Sequence, residues 1–197
     1  MELNKHFTAF LRALASVDAR YMLVGAFAVD FYGQPRTTRH MDIWLDDTPD
    51  NMECVYRAMA SFGAPPLAVE HLSAASPLEV VWIGVPPHRI DLVKGMRGLS
   101  FADAWSRRTT TKVQDITLPI IGREDLIATK RASEREKDRA DADALATSPS
   151  PKVALFIKRQ TVSEGGSSTF PMGIVFFLGA EAFSISPDGL RKLVEAC

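Results

Sequence analysis

Three side chains able to bind a metal ion occur where one β-sheet could bring them together. His40 and Asp42 are separated by one residue in an apolar segment that is typical of a buried strand. Because successive side chains of a strand point to opposite faces, residues 40 and 42 share one face. Asp91 stands within a second strand-like segment, where an ionised carboxylate is costly to bury without a cation or hydrogen bonds. These residues predict a divalent-metal site, although a surface position explains His40 equally well.

A glycine stands where a predicted strand, residues 21–24, meets a predicted helix, residues 26–32. The small residues Gly25 and Ala26 let backbone N–H groups approach an anion at the start of that helix. A tight turn alone also accounts for Gly25. The sequence thus offers a candidate phosphate-binding turn upstream of the metal-binding strand.

The remaining elements must position these residues, and apolar periodicity locates them. Further helices are predicted over residues 5–16, 52–62, 101–107, 123–132 and 137–146, and strands over 41–45, 78–84, 89–93 and 112–119. The predicted class is α/β, with a mixed sheet flanked by helices over residues 1–147, divided into a core at 20–95 and a helical segment at 101–147. A Ser- and Pro-rich break precedes a β-rich C-terminal extension, residues 151–197.

The segment from residue 21 to residue 44 resembles the nucleotidyltransferase superfamily, and most of all the minimal and abortive-infection-type nucleotidyltransferases of bacterial toxin–antitoxin systems. Their pattern is a strand, a Gly-Gly or Gly-Ser turn, a helix, an Arg-x-Thr/Ser element, and Asp-x-Asp on the next strand. Arg36 and Thr38 match the Arg-x-Thr element, and Asp91 matches a third Asp on a later strand. The resemblance extends over about residues 5–147.

This resemblance implies a metal-dependent transfer of a nucleoside monophosphate from a nucleoside triphosphate to a hydroxyl of RNA, such as tRNA, or of a protein. Asp42 and Asp91 would be catalytic ligands of Mg²⁺ or Mn²⁺, with His40 as a weak ligand or a base. The nucleotide-binding residues that it implies are Gly25, Ala26, Arg36, Thr38 and Lys130, with Asp138 and Asp141 on the following helix near the site.

Two positions depart from the family pattern. Ala26 replaces the second small residue of the turn, which a side chain of this size permits. His40 replaces the first Asp of the Asp-x-Asp pair, and Mg²⁺ prefers oxygen ligands to imidazole, whereas Mn²⁺ tolerates a histidine better. The alternative function is therefore a catalytically impaired, nucleotidyltransferase-like binding protein, as one half of a toxin–antitoxin pair.

Composition limits the partners. Lys and Arg total 23 against 24 Asp and Glu, a formal net charge of −1, so no overall charge favours bulk nucleic-acid or membrane binding. The two cysteines, Cys54 and Cys197, form neither a disulfide framework nor a zinc motif, which is typical of a reducing cytoplasm. The expected partners are a nucleoside triphosphate and either tRNA or a cognate toxin or antitoxin, with no membrane.

Overall fold

The structure is a computed structural model that describes residues 3–34 and 38–147 in full, and residues 174–178 and 181–185 as backbone. The chain divides into two compact units, Met1–Pro151 and Lys152–Cys197. The described helices of the first unit are α1 (Lys5–Ser16), α2 (Gly25–Phe31), α3 (Pro49–Phe62), α4 (Pro66–Ala74), α5 (Phe101–Ser106), α6 (Arg123–Arg131) and α7 (Glu136–Thr147).

A six-stranded mixed sheet forms the centre of this unit. Its strands are β1 (Tyr21–Leu23), β2 (His40–Leu45), β3 (Val81–Ile83), β4 (Arg89–Val93), β5 (Thr109–Val113) and β6 (Ile116–Ile120). Their order across the sheet is β3-β4-β2-β1-β6-β5, so β2 lies between β4 and β1. β2 runs parallel to β4 and antiparallel to β1, while β1 runs parallel to β6. The predicted class, a mixed sheet flanked by helices, is confirmed.

Apolar faces of the helices close the core against this sheet. In α1 the side chains of Phe7, Phe10, Leu11 and Leu14 are buried, as the spacing of its apolar residues predicts. Asn4 caps this helix, since its side chain accepts a hydrogen bond from the Phe7 backbone N–H at 2.9 Å. Helix α1 therefore begins at a polar cap and buries one continuous stripe.

Two parts of the first unit differ from the sequence prediction. The segment predicted as one strand over residues 112–119 is a hairpin of β5 and β6, because Gln114 adopts a φ of 57° and turns the chain. Helix α4 was not predicted, since its two opening prolines, Pro65 and Pro66, are typical of a loop. Proline nevertheless suits the first turn of a helix, where its missing N–H has no intrahelical partner.

In the second unit, the described backbone forms an antiparallel hairpin of β7 (Ile174–Leu178) and β8 (Glu181–Ile185), in line with the β-rich character predicted for the extension. Among the helices that the structure describes, none has both the length and the apolar composition that crossing a bilayer requires.

Candidate metal and nucleotide site

Parallel pairing of β2 with β4 assembles the predicted metal ligands. The register sets Asp42 opposite Asp91, and His40 opposite Arg89. One ligand atom from each of His40, Asp42 and Asp91 lies within 4.8 Å of the others. The His40 Nε2 atom is 3.5 Å from Oδ1 of Asp42. The site is thus built on two neighbouring inner strands, which hold the three side chains on one face of the sheet.

Asp42 is packed directly against the glycine turn. Gly25 has a φ of +61°, and a Cβ atom at this position would lie 2.1 Å from Oδ2 of Asp42. The Ala26 backbone N–H acts on the Asp42 carboxylate and lowers its pKa. The start of α2 therefore lies beside a carboxylate of the site, and glycine at position 25 leaves the room that this carboxylate needs.

The charge of Asp42 is only partly compensated. Burial raises its pKa to about 6, and the nearby Asp91 carboxylate acts in the same direction. The His40 imidazole, the Ala26 N–H and the Lys130 ammonium oppose this effect and lower the pKa. Asp42 is therefore a carboxylate whose ionised form would be stabilised by a further positive charge.

Asp91 is paired with an arginine to which the sequence analysis assigned no role. Arg89 Nε lies 2.7 Å from Asp91 Oδ1, and Arg89 Nη2 donates to Oδ2 at 2.8 Å. Only the second contact has hydrogen-bond geometry, so the buried Oδ1 atom accepts no hydrogen bond from any residue that the structure describes. The signal for Arg89 was its position two residues before Asp91, which places both side chains on one face of β4.

These observations fit a divalent cation. Two carboxylates and an imidazole converge, one buried carboxylate oxygen lacks a hydrogen bond among the described residues, and one carboxyl has a raised pKa. His40, Asp42 and Asp91 would hold such a cation, since one ligand atom from each lies within 4.8 Å of the others. The mixed nitrogen and oxygen donor set suits Mn²⁺ better than Mg²⁺.

The Arg-x-Thr element lies immediately before β2. The Thr38 hydroxyl donates to the His40 carbonyl at 2.7 Å and accepts from the His40 N–H at 3.3 Å. Thr38 therefore supports the backbone of His40 at the start of the strand. Arg36 lies outside the described residues, and its proposed contact with phosphate stays a prediction.

Lys130 stands in a half-buried ion cluster between α6 and α7. Its ammonium contacts Asp138, and it lies 3.2 Å from Asp141 Oδ2. Burial alone would raise the pKa of Asp138, but hydrogen bonds from Lys130 and Ser133 outweigh it and lower that pKa. Lys130 also acts on Asp42 electrostatically and lowers the pKa of that carboxyl. The sequence analysis placed Asp138 and Asp141 near the nucleotide site by resemblance; the structure pairs both with Lys130, and their place near a bound nucleotide stays a prediction.

Comparison with known proteins bears on the fold. No family model matches the sequence, and neither does any curated protein. Among solved structures, the lincosamide antibiotic adenylyltransferase LnuA with lincomycin bound is similar, with a TM-score of 0.51 and 16% sequence identity. The similarity covers 74% of this chain and 97% of that one. The chain therefore shares its fold with an adenylyltransferase.

Proposed function

We propose that this protein transfers a nucleoside monophosphate from a nucleoside triphosphate to an acceptor hydroxyl, with a divalent cation held by Asp42 and Asp91. The observation that carries this proposal is the convergence of His40, Asp42 and Asp91 on paired inner strands beside a glycine turn. The shared fold with an adenylyltransferase supports it.

In this reaction a bond forms between the acceptor oxygen and the α-phosphorus, and the bond from that phosphorus to the leaving pyrophosphate breaks. The cation, when bound, supplies neutralisation of the phosphate charge and activation of the attacking hydroxyl. Asp42 and Asp91 would hold it, since both present carboxylate oxygens on the same face of the sheet. Lys130 acts electrostatically on Asp42, and because Asp138 and Asp141 already pair with its ammonium, contact with a triphosphate would require it to leave one of them.

Two roles for His40 make opposite predictions. As a weak ligand, His40 limits activity, and His40→Asp should raise Mg²⁺ affinity and transfer at least tenfold, because Mg²⁺ favours oxygen ligands. As a base, His40 accepts the proton of the attacking hydroxyl, and its loss should lower transfer by about 10²-fold. Its Nε2 atom lies beside Asp42 Oδ1, which favours the role of ligand.

The test uses nucleoside triphosphates labelled at the α-phosphate, with Mg²⁺ or Mn²⁺, and follows pyrophosphate release and label on the acceptor. Acceptors to compare are tRNA, a protein, and, because of LnuA, a lincosamide. Asp91→Asn should abolish transfer, while Asp47→Asn, which removes an exposed carboxylate just after β2, should not. Equal transfer by both variants would refute the site.

The second candidate is the impaired binding protein, one half of a toxin–antitoxin pair, which the His40 substitution favours. It predicts metal-dependent nucleotide binding without transfer to any acceptor, and no gain of transfer in His40→Asp. Calorimetric titration with ATP, GTP, CTP and UTP in each metal separates the two candidates. Nucleotide binding that is unaffected by metal removal and by Asp42→Asn would contradict both.

A further inference from the structure

Arg89 and Asp91 form a close ion pair beside the three candidate metal ligands. They are two residues apart on β4, and the guanidinium lies within 2.8 Å of both carboxylate oxygens of Asp91. The Asp91 side chain is only 9% exposed, whereas that of Arg89 is 34% exposed. The buried Asp91 is thus fixed in the sheet, while part of the arginine side chain reaches solvent although its Nε atom is buried.

The charges of this group depend on whether a cation is present. In the metal-free protein, the guanidinium of Arg89 offsets one of the two facing carboxylates, Asp42 and Asp91. A divalent cation approaching Asp91 meets this guanidinium at the same oxygens and is repelled by it, strongly so where water is scarce. When the cation and the Arg89 guanidinium are both present, their positive charges exceed the two negative charges of Asp42 and Asp91, which suits a polyanion such as a triphosphate.

We propose that Arg89 competes with the divalent cation for Asp91, and that a triphosphate arriving with the cation draws Arg89 from Asp91 onto its phosphate oxygens. The planar fork of a guanidinium matches carboxylate and phosphate equally well, so one side chain can serve both states. This role rests on the proposed function, because it assigns Arg89 to the same nucleotide and metal.

Cooperative binding follows from this exchange. The cation alone must displace Arg89 without offering it another anion, so it binds weakly. The triphosphate supplies that anion, and each ligand therefore strengthens the binding of the other by the same factor. An ion pair with a purely structural role would stabilise β4 but would create no such coupling.

The test measures Mn²⁺ binding by calorimetry, alone and with an ATP analogue whose α,β-bridging oxygen is replaced by methylene. For Arg89→Gln we expect Mn²⁺ alone to bind about tenfold tighter, and the strengthening by the analogue to fall about tenfold. Arg89→Lys keeps the charge without the fork, so Mn²⁺ alone should bind as in the wild type while the coupling falls. Arg12→Gln breaks the exposed pair with Asp115, and neither quantity should change.

Unchanged Mn²⁺ affinity and unchanged coupling in Arg89→Gln, at an unchanged melting temperature, would overturn the role of Arg89. If Arg89→Gln does not fold, Arg89→Lys decides: coupling equal to that of the wild type overturns the exchange, and reduced coupling supports it. Absence of Mn²⁺ binding in the wild type and in both variants, with or without the analogue, would overturn the proposed function as well. Tight Mn²⁺ binding by wild type and variants alike would overturn only the competition by Arg89.

Discussion

Replacing Asp42 by asparagine should stabilise the metal-free protein at neutral and alkaline pH. The folded protein raises the pKa of this carboxyl from 3.8 to about 6, so ionisation is less favourable in the folded chain than in the unfolded one. One pKa unit corresponds to ~1.4 kcal/mol, which gives a cost of about 3 kcal/mol above pH 6. Because the side chain is 25% exposed, solvent screening reduces this to about 2 kcal/mol.

The sign of the pH dependence follows from the raised pKa. Below pH 3.8 the carboxyl is protonated in both states, and Asp42 costs the wild type nothing. As the pH rises from 3.8 to 6, the unfolded chain loses its proton first, so the wild type loses stability, and it does not regain this stability at higher pH. The carboxamide of the Asp42→Asn variant has no proton to lose in this range. The difference in unfolding free energy should therefore be near zero at pH 4 and about 2 kcal/mol in favour of the variant at pH 8.

Urea unfolding in EDTA at pH 4 and pH 8 measures this difference. Asp47→Asn is the matched control, because it removes an exposed carboxylate outside the site. Adding Mn²⁺ at pH 8 should raise the stability of the wild type but not that of Asp42→Asn. This result would show that the Asp42 carboxylate destabilises the metal-free protein and is needed to bind the cation. A variant no more stable than wild type at pH 8, or equally favoured at both pH values, would refute the electrostatic reasoning.

Three further perturbations test the surroundings of the site. Gly25→Ala should destabilise the protein by about 1–3 kcal/mol in urea unfolding and weaken Mn²⁺ binding, because the new Cβ atom meets Asp42. The control is Gly33→Ala, which also has a positive φ but has open space around the new Cβ atom, so it should lower stability without changing Mn²⁺ binding. Lys130→Met should cost about 3–5 kcal/mol of unfolding free energy, since Asp138 and Asp141 lose their shared cation, and the exposed Lys137→Met should cost almost none. The lowered pKa of Asp138 stabilises the folded protein above pH 3.8, and this stability is lost as the pH falls through the pKa of the folded state. Ser133→Ala removes one hydrogen bond to Asp138 and should therefore make this acid-induced loss of stability smaller, as followed by circular dichroism. An acid titration identical to that of the wild type would contradict the role of this hydrogen bond.

Sequence reasoning selected the candidate metal ligands through local rules. Side-chain alternation places His40 and Asp42 on one face, and the cost of burying an unpaired carboxylate singles out Asp91. These rules depend on residues within one strand, and the structure agrees with both. The sequence also predicted the strand-to-helix turn at Gly25, because a glycine between an apolar strand and a helix is typical of a tight turn.

Contacts between distant segments could not be predicted in this way. The parallel register that sets Asp42 opposite Asp91 is a property of the sheet, and no periodicity within β2 or β4 specifies it. The same holds for Lys130, whose pairing with Asp141 depends on how α6 packs against α7. Sequence reasoning overlooked Arg89 because an arginine at the start of a strand is usually solvated. Only its ion pair with the buried Asp91, which the structure shows, indicates a role at the site.

The position of β2 in the sheet limits how the site can open. Both edges of this strand are hydrogen-bonded, to β1 on one side and β4 on the other, and β3 and β5 form the sheet's outer edges. Fraying at an edge therefore leaves Asp42 in place, and its backbone can separate from that of Asp91 only when the centre of the sheet comes apart. In hydrogen–deuterium exchange, the amides of β2 should belong to the slowest class of the chain, so the residues that hold a ligand would also report the global unfolding of the domain.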